Sequence, residues 1–262
     1  PSIARASMEN NRLRIEALAP GRAAVRLWTD TGLSRVVGVR VNTAEGKAPG
    51  LPPYLGIGSV SEDTPADLAF WAGFGEGAKN RRVDARYIYL NGGASNAIGD
   101  GWNWRVDGDG RRATRFVEES LRLGMMPVFV WYNIPDGGES YFTNKQHIES
   151  ASYMESYFRD LRHALEITER AADGEKIGWI LEPDFLGYFA QNNSAAPDQI
   201  FAQTSAAYSS GVLRAGEDPA FPNTLRGLVS AINHTIRKYQ PGAWFGWQMN
   251  LWASPPGGFT NA

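Results

Sequence analysis

Apolar and polar residues alternate through RLRIEAL (12–18), AAVRLWTD (23–30) and SRVVGVRVN (34–42), with APG and DTG as punctuation between them. A period of two places one face of each segment against a core and the other in water, so three short antiparallel strands joined by turns are predicted. Three strands over so few residues enclose little apolar surface. Either the front of this unit is missing or the strands pack on the downstream chain, and AEGKAPGLPP (44–53) is the natural linker.

From Tyr54 the pattern changes to apolar runs alternating with amphipathic ones. Strands are predicted at YLGIGSV (54–60), DARYIYLNGG (84–93), MPVFVWYNIP (126–135), KIGWILEPD (176–184) and AWFGWQMNLW (243–252). Helices are predicted at 64–78, at RRATRFVEESLRLG (111–124) with its glycine stop, at 150–174, and at 221–242. On the long helix, Tyr157, Leu161, Leu165 and Ile167 share roughly one side. Apolar strands followed by amphipathic helices imply an α/β fold with a parallel sheet covered by helices. GFGEG (73–77) is not a dinucleotide fingerprint, so the reading is a TIM-like (β/α) barrel rather than a dinucleotide fold. About 210 residues follow the linker, fewer than the ~250 of a complete barrel. The expected organisation is therefore a partial β unit at 1–45 and, at 46–262, a distorted or incomplete barrel truncated at its C-terminal end.

Composition narrows the partners. The formal net charge of -2 gives no electrostatic reason to expect nucleic acid or an anionic membrane. No apolar run approaches the ~20 residues of a membrane span, so no membrane insertion is expected. Cysteine is absent, which excludes disulfides, thiolate metal sites and cysteine nucleophiles. The chain opens at Pro1 without a methionine, as a processed product would. Aromatic residues make up 12%, with 9 Trp, and a tryptophan face suits the apolar face of a sugar ring as well as it suits a core.

The chemistry gathers where parallel α/β folds keep it, at the carboxyl ends of strands. Those ends carry Asn91 with Gly92 and Gly93, then Trp131, Tyr132 and Asn133 with Asp136, then Glu182 and Asp184, then Gln248, Asn250 and Trp252. The loop after the second barrel strand adds Trp102 and Trp104, with a DGDG turn (107–110) that lacks the remaining ligands of a calcium loop. His147, His163 and His234 fall in a loop and in helices as surface or packing residues, and no GxSxG is present. Carboxylates among aromatic platforms, with no metal cluster and no cofactor motif, suit glycoside hydrolysis.

Glu182 and Asp184 admit two readings. They cap the next helix or meet an arginine, or they form a site in which burial and like charge raise one of the two pKa values, as a general acid requires.

Three segments, in order, resemble glycoside hydrolase family 6, the inverting cellulases with a distorted parallel barrel. VWYNIPDGGES (130–140) looks like that family's V-V-Y-D/N-x-P-D-R-D-C motif. WILEPDFLGYFAQN (179–192) looks like V-x-E-P-D-S-L-A-N-L-V-T-N, and WFGWQMNLWASP (244–255) is similar to G-W-P-A-N-L-x-x-A. The resemblance covers residues 126–255, while residues 1–45 resemble the closing strands of a bacterial immunoglobulin-like domain. It implies Asp184 as general acid and Tyr132 beside the reacting sugar, with Glu182, Trp247 and Asn250 at structural or substrate-side positions. The family's arginine and second aspartate fall on Gly137 and Gly138, and Glu139, one residue on, is the substitute. The family's candidate base lies beyond Ala262.

The expectation is a secreted glycoside hydrolase acting on a polysaccharide such as a β-glucan. Its catalytic candidates are Asp184, Glu182, Asp136, Tyr132 and Glu139; its substrate-binding candidates are Trp131, Asn133, Trp102, Trp104, Trp247, Asn250 and Trp252. The alternatives are a retaining glycosidase with Glu182 as acid/base, and a non-catalytic carbohydrate-binding protein.

Overall fold

The computed structural model describes residues 2–44, 56–73, 83–93 and 110–253. Among them the chain forms a mixed α/β architecture with seven helices, a five-stranded parallel sheet and a small antiparallel part of two strand pairs.

In the antiparallel part, β1 (Ala4–Glu9) pairs with β2 (Arg12–Ala17), and β3 (Gly21–Trp28) pairs with β4 (Ser34–Val41). The first of these strands does not stand out in the sequence, because ARASME has no regular apolar alternation. Asn10 and Asn11, with φ of 51° and 59°, bridge it to β2 in the left-handed conformation that a two-residue hairpin turn demands. Adjacent asparagines were the available signal. Neither pair joins the large sheet, and no helix occurs there.

The large sheet contains β5 (Gly58–Val60), β6 (Ala85–Asn91), β7 (Met126–Tyr132), β8 (Gly178–Leu181) and β9 (Trp244–Trp247), in that spatial order. Strand order follows chain order without a reversal. The apolar face of β6 comprises Ile88 and Leu90, both fully buried. On β7 six of seven residues are buried, which explains its near-continuous apolar sequence.

The helices are α1 (Pro65–Gly73), α2 (Arg111–Arg122), α3 (Tyr141–Glu149), α4 (Ala151–Ala172), α5 (Phe185–Asn192), α6 (Ala206–Ser209) and α7 (Leu225–Tyr239). Each long one buries the face its period specifies. On α7, Leu225, Leu228, Ile232 and Ile236 recur at three- and four-residue intervals and are buried. Thr224 starts that helix by accepting the Gly227 N–H at 3.1 Å. Just past its end, Gln240 is buried and accepts the Trp179 Nε1–H at 2.6 Å while donating to Thr168 Oγ1 at 3.2 Å. One amide thus ties β8 to α4 and α7. Three helices, α3, α5 and α6, were not expected. The first is capped by Ser140, which accepts the Thr143 N–H at 3.1 Å.

The chain divides into two compact units, residues 1–88 with 115–128 and 171–177, and residues 89–114 with 129–170 and 178–262. The antiparallel strands fall in the first unit together with β5. That unit encloses Arg86, which donates to Asp63 at 2.7 Å, to Ser61 at 3.0 Å and to Ser120 at 3.2 Å. Both ends of its ion pair are essentially unexposed, so the remaining guanidinium donors need those hydroxyls. The second unit buries Phe129, Trp131, Tyr157, Phe158, Trp179, Phe185 and Ile232 around the ends of β7, β8 and β9.

Candidate active site

The site is built at the carboxyl ends of β6 through β9, wholly within the second unit. Its base is Glu182. The carboxyl is fully buried and accepts the Asn133 N–H at 3.2 Å and the Ile134 N–H at 3.0 Å. The phenol of Tyr157 faces it from α4. Burial pushes the Glu182 carboxyl up to about 8, against the lowering effect of Ile134, Tyr157 and Asn133. At neutral pH this group is mostly protonated, and it has no exposed surface with which to meet a ligand. The carboxyl with a raised pKa is therefore Glu182, and the cause is desolvation rather than a neighbouring like charge. Expected as a catalytic group, it instead holds the turn after β7.

That turn is gripped from both sides. Glu182 takes the two amides, while Tyr153 Oη–H donates to the Asn133 carbonyl at 2.5 Å and His147 Nδ1–H donates to the Ile134 carbonyl at 2.5 Å. The His147 and Tyr153 rings stack with centroids 3.8 Å apart and planes 2° from parallel. His147 lies in α3, not in a loop, and is a packing residue. The Asn133 side chain donates to the Leu90 carbonyl at 2.7 Å and is completely buried. It fastens β7 to the end of β6 and cannot touch a sugar, contrary to expectation.

Beyond this clamp the chain delivers Asp136 and Glu139. Asp136 is half-buried and sits against Gly93, where an added Cβ would fall 1.9 Å from its Oδ2. Glu139 is exposed, and its carbonyl accepts the Tyr188 hydroxyl at 3.0 Å.

Asp184 occupies the N-cap position of α5, but its side chain makes no capping bond. Its carboxylate turns instead to the segment after β9, where Asn250 Nδ2 donates to Oδ1 and Gln248 Nε2 lies 3.4 Å from the same atom. Glu182 and Asp184 take positive φ, 39° and 68°, in a region where non-glycine residues are uncommon and strained. The bond from the Glu182 N–H to the Trp131 carbonyl, 2.7 Å, and the buried carboxyl contacts hold this bend. The bend is what turns Asp184 away from its own helix.

Tyr132 feels the charge of both carboxylates, Glu139 and Asp184. Burial first, then the negative charges of Glu139 and Asp184, raise its phenol far above the ordinary tyrosine range. It therefore stays a neutral O–H donor at any working pH. The hydroxyl is buried and has no hydrogen-bond partner among the described residues. Tyr188 is also raised, by burial and then by Asp184 and Glu139. Two phenols thus feel the same two carboxylates. Sequence reasoning passed over Tyr188 because it sits in a helix that was not foreseen.

The tryptophans separate. Trp131 is fully buried, edge-on to Tyr157 at 6.1 Å and to Trp179 at 6.2 Å, so it belongs to the core rather than the cleft. The pleat decides this, since Tyr132 takes the opposite face. Trp247 donates from Nε1 to Asn233 of α7 at 2.9 Å and packs on Phe185, a structural role rather than a substrate-side one. Trp252 is half-exposed and lies beside Tyr188. Trp102 and Trp104 lie outside the described residues. Among the described residues no cluster of His, Asp and Glu could hold a metal ion, and no helix is long and apolar enough to cross a membrane.

No family model matches the chain, and the search of curated proteins found no match.

Proposed function

We propose that this chain is a glycoside hydrolase of the cellulase-like barrel type, a secreted enzyme that cleaves a polysaccharide such as a β-glucan. The observation that carries the reading is Asp184 at the end of β8, which caps no helix and is turned toward Gln248 and Asn250 beside the unpartnered Tyr132 phenol that feels its charge. Asp184 delivers a proton to the departing glycosidic oxygen while the sugar develops oxocarbenium character. Tyr132 packs beside the same sugar, and Glu139 takes the place of the aspartate that Gly138 lacks, ordering the water that attacks from the opposite face and accepting its proton. Glu182 takes no part in proton transfer, because its oxygens are enclosed and held by backbone amides. The sequential strand order supports a singly wound barrel, since a doubly wound sheet reverses its order at a switch point. Residues 46–262 are then the catalytic domain and residues 1–45 the immunoglobulin-like appendage.

Product release from a panel of polysaccharides tests the enzyme reading. General acid–base participation contributes ~10²–10⁴-fold. Asp184→Asn should lose hydrolysis within that range or beyond, with oligosaccharide affinity largely retained. Near-unchanged turnover by this variant would remove Asp184 from the role. The glycines at 137 and 138 favour a second reading, a carbohydrate-binding protein with a disabled site. That reading requires binding by the unaltered chain with no product from any member of the panel.

A further inference from the structure

Trp252 keeps 48% of its surface exposed only a few residues past the end of β9, in a segment whose Asn250 grips Asp184. A large aromatic left open beside a carboxylate is an uncommon use of apolar surface unless something covers it. Its seat is built. A Cβ on Gly187 would lie 3.0 Å from Trp252 Cη2 and 3.0 Å from Asn250, so only glycine at that point of α5 lets the indole settle against the helix. The neighbouring residue, Tyr188, presents its ring 5.6 Å from the indole at 58°, making a corner of two aromatic faces. The corner is fastened to the catalytic loop, because the Tyr188 hydroxyl donates to the Glu139 carbonyl at 3.0 Å. Two further polar atoms, both buried, lack partners among the described residues, the Tyr132 hydroxyl and Asn250 Oδ1. A ligand with an apolar face and a rim of hydroxyls satisfies both kinds of surface at once, and a pyranose ring has that form.

We propose that Tyr188 and Trp252 form a sugar subsite adjoining Asp184, in which one pyranose unit lies on the indole with its hydroxyl rim toward Asn250. The subsite rests on the glycan-cleaving reading above, and it makes Tyr188 and Trp252 binding residues, not catalytic ones. Asp184, held by the same Asn250, then faces the glycosidic bond at the edge of that unit. Tyr188 has a second duty, since its hydroxyl positions the loop that bears Glu139.

The test uses the full 262-residue chain carrying Asp184→Asn, so that the ligand survives, titrated calorimetrically with cellotetraose, xylotetraose and mannotetraose. At least one of the three should bind. In that background Trp252→Ala should weaken binding about tenfold, as lost ring stacking does. Trp252→Phe should recover most of the affinity while abolishing the ligand-induced shift in tryptophan emission. Tyr188→Phe should keep the affinity within about twofold, and in the Asp184 chain it should lower kcat more than it raises KM. Binding that is indifferent to Trp252→Ala overturns the subsite and leaves the glycan reading standing. Failure of all three tetrasaccharides to bind overturns the glycan reading and the subsite with it.

Discussion

Glu182 is a carboxylic acid in a place that favours its neutral form, and this has a consequence for stability. Its folded value of about 8 lies well above the ~4.3 of an unfolded glutamate. A group that binds its proton more tightly when folded stabilises the fold fully below the unfolded value and loses that contribution as pH rises to the folded one. Each unit of pH in that window removes up to about 1.4 kcal/mol. The melting temperature should therefore fall between about pH 5 and pH 8, and Glu182→Gln, whose amide does not titrate, should flatten the fall. Thermal melts of both proteins across that range decide it, and parallel slopes would show that Glu182 is not the group responsible. Its neighbour Asp184 is only half-buried. Two residues apart in sequence, one carboxyl is pointed into the core and the other, by a strained bend, toward Gln248 and Asn250.

Among the elements, the site depends on how the turn after β7 is held against β6 and β8. Glu182, Tyr153 and His147 occupy both amides and both carbonyls of Asn133 and Ile134, so every backbone polar group of that turn is bonded. Gly93, past the end of β6, admits the carboxylate that comes after the turn. Its φ is 92°, and a Cβ would sit 1.9 Å from Asp136 Oδ2. Gly93→Ala therefore combines a strained backbone with a clash that Asp136 can relieve only by turning away. A loss of about 1–3 kcal/mol is expected from the backbone alone. Chemical denaturation measures it, and a variant as stable as the parent would mean that the Gly92–Gly93 turn adapts without strain.

Across the molecule as a whole, the antiparallel strands are not a free appendage within their unit. Arg40 of β4 pairs with Glu175 at 2.7 Å, and the Gly124 α-carbon lies 3.8 Å from where a Cβ on Gly38 would stand. A partly buried pair of this kind is worth about 1 kcal/mol, or about 2–4 °C in a chain of this size. Arg40→Ala should lower the melting temperature by that amount, whereas an unchanged melt would mean that the hairpin is fastened by other contacts. The first unit also rests on Arg86 and Asp63, an ion pair enclosed without exposure.

All five strands of the parallel sheet were legible in the sequence as apolar runs between amphipathic segments. In β6, β7 and β8 the run reflects burial, whereas β5 is exposed and β9 only partly covered. The meeting of Asp184 with Asn250 was legible only as two polar residues at successive strand ends. Short helices such as α3 and α5 were not, since their apolar residues follow a motif or a turn without a long periodic run. Periodicity shows that a strand residue alternates faces, but not which face is core. So Trp131 and Asn133 looked like cleft residues, and only packing against Tyr157, Trp179 and Leu90 placed them inside. The same holds for protons. The order of residues was enough to stand two carboxyl groups at the end of β8; it took the packed chain to make Glu182 the buried one. A pKa responds to desolvation and to amides and charges brought from distant segments, and those distances exist only once the chain has folded.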